Sequence, residues 1–513
     1  MKRKLTRVLF FMAFMVSIVS ATFAQEVIHG IVQDELGNPQ SNVKVRLTGA
    51  SMLSDLTMKD GKFTVVLTQG SSREVLFESG DFSAKKIIIP AGKDNITVTL
   101  SKESKVNEYG SSVDITAINA EMQDAVLHFE STDKDFQLWF DNRVMVDGAA
   151  FFGSDDDQIG NGAKIRRARF AIKTRVWKNW GGELDVDFSS DELSVKDAFI
   201  RYGWNNGIVK VGNFKEPFSM EATTSSRYQS FMESPMITEM APGRHIGFGA
   251  SYWLNHFLFQ AGVFTNVMNN VLIEDQNKNV GTDEGYSLTG RVVWIPVNKD
   301  NRLIHLGGSV SYRTPTLPEY GDPTQAFRIN MRAETDVNRK KYVDTDFIEN
   351  SKYALMAGGE LAAQYNNIKF QGEYIMQDIH RRNDLQKVNI QGWFAAATWM
   401  ITGENYVYNS SESEFTRIGM KKNGKGAIEA ALRYSYMDAN DLDAGVKGGE
   451  AEIITAGINY YVNPSVKFML NYSWVNQDRY ANGKGKYTTD MLAPTGESGI
   501  DFSTIALRVE IDF

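Results

Sequence analysis

From about residue 136 onward, apolar and polar residues alternate along the chain with a period of two. Ile428, Ala430, Leu432, Tyr434 and Tyr436 alternate with Glu429, Ala431, Arg433 and Ser435. Val466, Phe468, Leu470, Tyr472 and Trp474 alternate with Lys467, Met469, Asn471 and Ser473, and Leu306, Gly308, Val310 and Tyr312 with Gly307, Ser309, Ser311 and Arg313. The last residues repeat the pattern, with Ile505, Leu507, Val509, Ile511 and Phe513 on one face and Ala506, Arg508, Glu510 and Asp512 on the other. This period assigns one residue set to each face of a β-strand. In a soluble sandwich the apolar face is the inside; in a membrane barrel it is the outside, against lipid. Alternation alone fits both, and the connections distinguish them. Tight turns (Asn179-Trp180-Gly181-Gly182, Asn205-Asn206-Gly207, Asn255-His256, Asn366-Asn367, Asn463-Pro464-Ser465) alternate with long segments at 148–163, 218–244, 266–285, 315–352, 438–450 and 477–500. Two unlike sets of connections suit the two sides of a membrane. The spacing predicts an all-β chain: a 16-stranded antiparallel transmembrane β-barrel over residues 136–513, with the region 401–427 fitting least well. A sheet in lipid cannot leave an edge unpaired, so the last strand is expected to pair with the first.

A small β-sandwich is predicted over residues 25–100. Val27–Val32 reads as a strand, Asp34 to Pro39 as a turn, and Val43, Val45 and Leu47 as a strand face; Asp60-Gly61-Lys62 turns into Phe63, Val65 and Leu67. The pattern from His29-Gly30-Ile31-Val32 through Gly37-Asn38-Pro39 and Leu47-Thr48-Gly49 to Asp60-Gly61-Lys62-Phe63 resembles the carboxypeptidase regulatory-like domain. That resemblance implies a spacer or docking module with no enzymatic constellation. Residues 101–135 read as a polar linker, with a short helix expected near 117–127. At the amino terminus, Lys2, Arg3, Lys4 and Arg7 precede the apolar run 8–19, and Thr22-Phe23-Ala24 offers a cleavage site, so residues 1–24 read as an export signal.

Composition narrows the reading. The chain has 55 basic and 63 acidic residues, a net charge of −8. Loss of residues 1–24 with their four basic side chains leaves 51 basic residues against 63 acidic ones, or −12. An acidic chain is a poor match for nucleic-acid phosphates, and no such partner is expected. Cysteine is absent, which excludes disulfides, cysteine–zinc sites and a cysteine-linked lipid anchor. No segment after residue 24 approaches the roughly 18 consecutive apolar residues of a spanning helix.

The segments Val211-Gly212-Asn213-Phe214-Lys215-Glu216-Pro217-Phe218, Thr224-Ser225-Ser226-Arg227-Tyr228 with Phe231-Met232-Glu233, and Ala241-Pro242-Gly243-Arg244 together resemble the phosphate-selective porin O and P family. So do Thr402-Gly403-Glu404, Gly426-Ala427-Ile428-Glu429 leading to Arg433-Tyr434-Ser435-Tyr436, and Gly457-Ile458-Asn459-Tyr460-Tyr461-Val462-Asn463-Pro464. The resemblance implies an outer-membrane porin, a trimeric 16-stranded barrel whose third long loop, here 218–244, folds into the pore. In phosphate-selective members a lysine and serines of this loop grip the anion. Ser225 and Ser226 are present, but Glu221, Ala222, Thr223 and Thr224 before them include no lysine.

The strand 165–177 carries the most telling charges. Arg167, Arg169, Lys173 and Arg175 share one face, and lipid-facing charges cost a few kcal/mol each near the midplane, so this face is expected to line the lumen. A basic stripe there would attract anions and phosphate. Across the turn Glu183, Asp185 and Asp187 share a face, so Arg175–Asp185 and Lys173–Asp187 are expected as cross-strand pairs, with Arg167 and Arg169 left free. A paired wall and a free anion track both remain open. The candidate pore and anion-binding residues are Arg167, Arg169, Lys173, Arg175, Lys210, Lys215, Ser225, Ser226 and Arg227. The six histidines show no metal-ligand spacing, and Asp155-Asp156-Asp157 lacks the distal ligands of a calcium loop. No phosphate loop or nucleophile elbow occurs, so neither cofactor nor enzyme activity is expected. The expected function is passive diffusion of small hydrophilic solutes and ions, biased toward anions, across the outer membrane by a homotrimer embedded in lipid. The amino-terminal module would face the periplasm and a partner there. The alternative is the barrel of an energy-coupled uptake system, argued against by the absence of a plug-sized segment in residues 101–135; a secreted sandwich enzyme or glycan binder is the third class.

Overall fold

The computed structural model describes residues 26–513 apart from 49–53, 68–71, 103, 107–108, 110–111, 115, 124–125, 154–158, 191–192, 266–283, 316–322, 324, 422–423 and 479–498. The export segment, the acidic turn at Asp155–Asp157, and most of the long segments 266–285 and 477–500 lie outside the described residues.

Two sheets build the core of the amino-terminal unit, and Ser104–Val106 with Ser112–Asp114 adds a small third one. Glu26–Gln33 pairs antiparallel with Lys62–Leu67 and parallel with Asn95–Thr99. The second sheet runs in the order Asp55–Leu56, Lys44–Leu47, Glu74–Ser79, Phe82–Ile88. Their inward residues, among them Ile28, Val32, Val45, Phe63, Val65 and Phe77, form one buried cluster. The turn after the first strand is built by Asp34, whose carboxylate accepts from the amides of Leu36 (2.9 Å) and Asn38 (2.8 Å), and by Gly37 at φ +85°.

The barrel closes. Its strands are Phe136–Phe140 continued by Arg143–Phe152, then Gly162–Val176, Trp180–Asp187, Ser194–Trp204, Gly207–Lys215, Arg244–Trp253, Phe257–Phe264, Ser287–Lys299, Arg302–Arg313, Ser351–Tyr365, Ile368–Arg381, Val388–Met400, Ala427–Asp441, Val446–Asn463, Val466–Asp478 and Gly499–Asp512. Each pairs antiparallel with the next, and the last returns to the first from Arg143↔Asp512 to Phe152↔Ser503, making 16 strands. Burial decides which side is which. Ile428 and Leu432 are 37% and 56% exposed on the outside, whereas Glu429 and Arg433 between them are 0% and 2% exposed. A chain that hides its charges and shows its aliphatics has its apolar solvent outside.

Three details differ from the alternation pattern. The first hairpin turns at 177–179, with Trp177 and Lys178 at φ 47° and 64°, and Trp180 already pairs with Val176. The expected long segment 438–450 is mostly strand, closed by 442–445 with Gly445 at φ +76°. The expected helix near 117–127 is a β-hairpin, Ile118–Gln123 with Val126–Ser131. Its cause is an unfinished edge. The last strand stops opposite Arg143, so Phe136–Phe140 extends beyond it, and Val126–Ser131 pairs with that extension through His128↔Trp139 and Glu130↔Gln137.

Three connections fold inward. The loop 216–243 after the fifth strand enters the lumen, as the resemblance implies; Phe218, Met236, Ile237 and Met240 pack against Ala354, Ile379, Ile390 and Phe394 of the wall. The loop 314–350 adds the hairpin Asn330–Arg332 with Lys341–Asp344, and its Ile329, Met331 and Val343 join the same cluster. The connection 401–426, where alternation failed, lies among the short turns. It carries the pair Tyr408–Asn409 with Glu414–Phe415, and Tyr406 and Phe415 bury beside Met220. These segments fill the side of the lumen lined by the later strands and leave the early strands facing open space.

Candidate functional site

The open space is a cavity of about 530 Å³. The first eight strands, the loop 216–243 and the segment 411–414 line it, with ten basic side chains against six acidic ones. Its shape follows from how the loop 216–243 is fastened. The backbone amides of Met220 and Glu221 donate to Glu360 (2.7 Å) and Glu373 (2.6 Å). Ser230 Oγ donates to Glu429 (2.9 Å), whose carboxylate also accepts from Tyr406 and Tyr461 hydroxyls and Asn459 Nδ2, all at 2.8 Å. Lys467 Nζ donates to the carbonyls of Arg227 (3.0 Å) and Gln229 (3.3 Å). Further along, Glu233 receives Arg166 in two bonds of 2.8 Å and Arg508 at 2.7 Å. Burial alone would push the Glu233 carboxyl up; the two guanidiniums override it and hold it below the usual carboxylate range.

The basic face of the second strand lines this cavity, but its partners differ from those the hairpin suggested. Because the turn lies nearer the second strand, Arg169 faces Asp187, Lys173 faces Glu183 and Arg175 faces Gly181. Arg169 binds Asp187 (3.1 Å) and Asp185 (3.6 Å). Lys173 binds Asp141 (2.7 Å) and Glu183 (3.3 Å). Arg175 is exposed near the turn, and among the described residues it has no acidic partner. Arg167 is the free one: among the described residues its guanidinium meets Met145 Sδ at 3.4 Å and forms no ion pair. A bulge opposite Met145 and Val146 sets this up, since Met145 faces Arg167 and Val146 faces Ile165. Arg166 is left over between them and turns inward as well, to Glu233 and Asp336.

Other predicted residues are placed as follows. Arg227 is buried against Asp141, with Asp512 3.8 Å away. Ser225 and Ser226 sit beside it, each hydroxyl accepting from Arg143 Nη1 (3.1 and 3.0 Å). Lys215 closes the short helix Met220–Thr223, donating to the carbonyls of Ala222 (2.6 Å), Thr223 (3.1 Å) and Thr224 (3.3 Å). Lys210 lies over the Phe199 ring and, among the described residues, forms no ion pair. All of these except Arg175 line the cavity.

Arg143, Arg201 and Arg244 also line it and were not singled out from the sequence. Arg244 binds Asp197 at 2.8 Å. Arg201 stands directly across from Lys210 on the neighbouring strand, a like-charge juxtaposition that costs stability; its signal was a basic residue at an inward position of the alternation. Arg143 gave none, because it follows the break at 141–142 in the first strand. Glu183, Asp185 and Asp197 bring carboxylate oxygens within 4.8 Å of one another. Lys173, Arg169 and Arg244 already engage one each, so the group is a charge-paired wall and not a metal centre. At the other edge, burial and the neighbouring Glu412 push the Glu414 carboxyl up.

The profile of the phosphate-selective porin O and P family matches residues 140–494, more than half of the chain. The chain belongs to this family. It is an outer-membrane porin, and the match begins and ends within the barrel. Among relatives, Porin O of Pseudomonas aeruginosa is 23% identical over 394 residues, 70% of this chain and 87% of that protein. An uncharacterised protein of Caulobacter vibrioides is 26% identical over 396 residues, 75% of each chain. Among solved structures, an anion-selective porin from Comamonas acidovorans aligns with a TM-score of 0.46 and 11% identity, covering 74% of this chain and 100% of that one.

Proposed function

We propose that this porin is a passive, anion-biased channel for small hydrophilic solutes, working as a homotrimer. The reading is carried by one observation: Arg143, Arg167, Arg201 and Lys210 line the cavity without a carboxylate partner within 4 Å among the described residues. Cations of like sign gathered on one wall repel each other, so their presence has a stability cost that an anion in transit offsets. The paired residues Arg169, Lys173 and Arg244 form the rest of the wall and contribute little net field. Phosphate is one of the anions served. The grip differs from that implied by the family resemblance, because Lys215 is spent on the helix carbonyls while Ser225 and Ser226 present their hydroxyls beside Arg143.

On this reading the short turns face the periplasm, and so does the amino-terminal unit, a carboxypeptidase regulatory-like module that docks a partner there. Liposomes bearing the purified protein should release trapped sulfate faster than a cation of similar size, with no energy source. Equal release of both ions would refute the bias; release that required an imposed proton gradient or another energy source would refute passive diffusion.

A further inference from the structure

One wall of the cavity is not basic. Phe199 and Phe214 lie edge to face with ring centroids 5.9 Å apart, and Phe214 meets Phe264 behind it at 5.3 Å. Ile208 and Trp253 continue the apolar surface along the cavity. Glycines make room for the rings. A Cβ on Gly249 would come within 3.1 Å of the Phe214 ring and one on Gly247 within 2.4 Å of the Phe264 ring, while Gly212 lets the backbone of Ala198 and Phe199 approach. With no side chain at those inward positions, the rings occupy the wall itself, and those of Phe199 and Phe214 line the passage instead of blocking it.

Lys210 rises from this strip. Its Nζ stands 4.9 Å over the Phe199 ring and 5.8 Å from that of Phe214. Glu183 and Asp197, whose charges reach it, are bound to Lys173 and Arg244 instead. Arg201 faces Lys210 across the strand pair. The cavity thus sets two cations beside an aromatic surface, within a space of about 530 Å³. A fully hydrated inorganic anion gains from the cations and nothing from the rings.

We propose that the cavity selects organic anions carrying an apolar body next to the charge, aromatic monocarboxylates being the simplest, over inorganic phosphate and over small hydrophilic carboxylates. This rests on the anion-biased reading above and names its substrate class. The carboxylate meets Lys210 and Arg201, and the body lies on Phe199. Ring-on-ring contact at centroid separations of roughly 4.5–7 Å adds affinity beyond the area covered.

The test is current block in planar bilayers holding the purified full-length protein in KCl, with benzoate, cyclohexanecarboxylate, acetate and phosphate added in turn. Benzoate and cyclohexanecarboxylate should halve the chloride current at concentrations roughly tenfold below those of acetate and phosphate, the factor expected of one such apolar contact. Phe199→Ala should erase that difference. Equal block by benzoate and acetate in the unsubstituted protein would overturn the proposal whatever the variant does. Block by phosphate at the lowest concentration would also overturn it while leaving the anion-biased reading standing. A channel with no anion preference in the same membranes would overturn both.

Discussion

Arg167 and Arg169 lie two positions apart on one strand and end in opposite electrostatic situations. Arg169 is neutralised by Asp187 and Asp185, and Arg167 by no carboxylate among the described residues. Arg167→Gln should therefore lower anion preference, measured as zero-current potential at low salt, where the screening length exceeds roughly 10 Å. Its thermal stability should stay close to that of the unsubstituted barrel. Arg169→Gln should instead strand two inward carboxylates, costing roughly 1–3 kcal/mol in denaturant unfolding and shifting conduction toward cations. Asp141→Asn carries the opposite sign. Asp141 holds both Lys173 and Arg227, so its neutralisation should raise anion preference; a fall would show that the two cations do not face the permeating ion. The inward face of this strand was legible from alternation. Its pairing was not, because Trp177 and Lys178 take a backbone conformation unusual for such residues and move the turn away from the glycines that suggested it. The inward turn of Arg166 was hidden for a similar reason, since a bulge breaks the period that makes faces readable.

At the scale of elements, the pore is shaped by connections more than by strands. The loop 216–243 is tied to the far wall through Glu429, a buried carboxylate with four donors around it. Glu429→Ala would leave those donors unsatisfied, at a cost of roughly 2–5 kcal/mol. The loop should loosen, and single-channel records should show added current noise and flicker; a quiet trace would place the fastening elsewhere. Glu216-Pro217-Phe218 and Thr224-Ser225-Ser226-Arg227-Tyr228 made this loop legible through resemblance to a porin family. The inward folding of 401–426 was signalled only as a failure of alternation. Periodicity describes strands paired with neighbours, whereas Tyr406 and Phe415 are placed by burial against Met220 inside the lumen, a long-range contact that leaves no local trace.

For the whole molecule, closure is the organising event. The last strand pairs with the first over Ser503–Asp512, and Phe513 and Asn142 exchange backbone hydrogen bonds of 2.8 and 3.1 Å at its end. Deletion of Phe513 should lower the amount of heat-modifiable protein in the outer membrane more than it lowers synthesis. The hairpin Ile118–Gln123 with Val126–Ser131 covers the part of the first strand that the last does not reach. Removal of residues 26–116 should leave barrel assembly intact, while extending the deletion through Ser131 should lower its melting temperature by exposing an unpaired edge. Equal stability of the two deletions would show the hairpin to be dispensable. Strand number and closure were legible because lipid forces an even, edgeless sheet. The hairpin was not, because its polar composition reads as linker until the uncovered edge of Phe136–Phe140 is seen.

In the proposed function, a wall of cations without carboxylate partners among the described residues governs a passive pore. Its most direct test is the zero-current potential of the purified protein in a planar bilayer across a tenfold KCl gradient at low salt. The expected potential is displaced toward the chloride equilibrium value. A potential at zero or displaced toward that of potassium would contradict it.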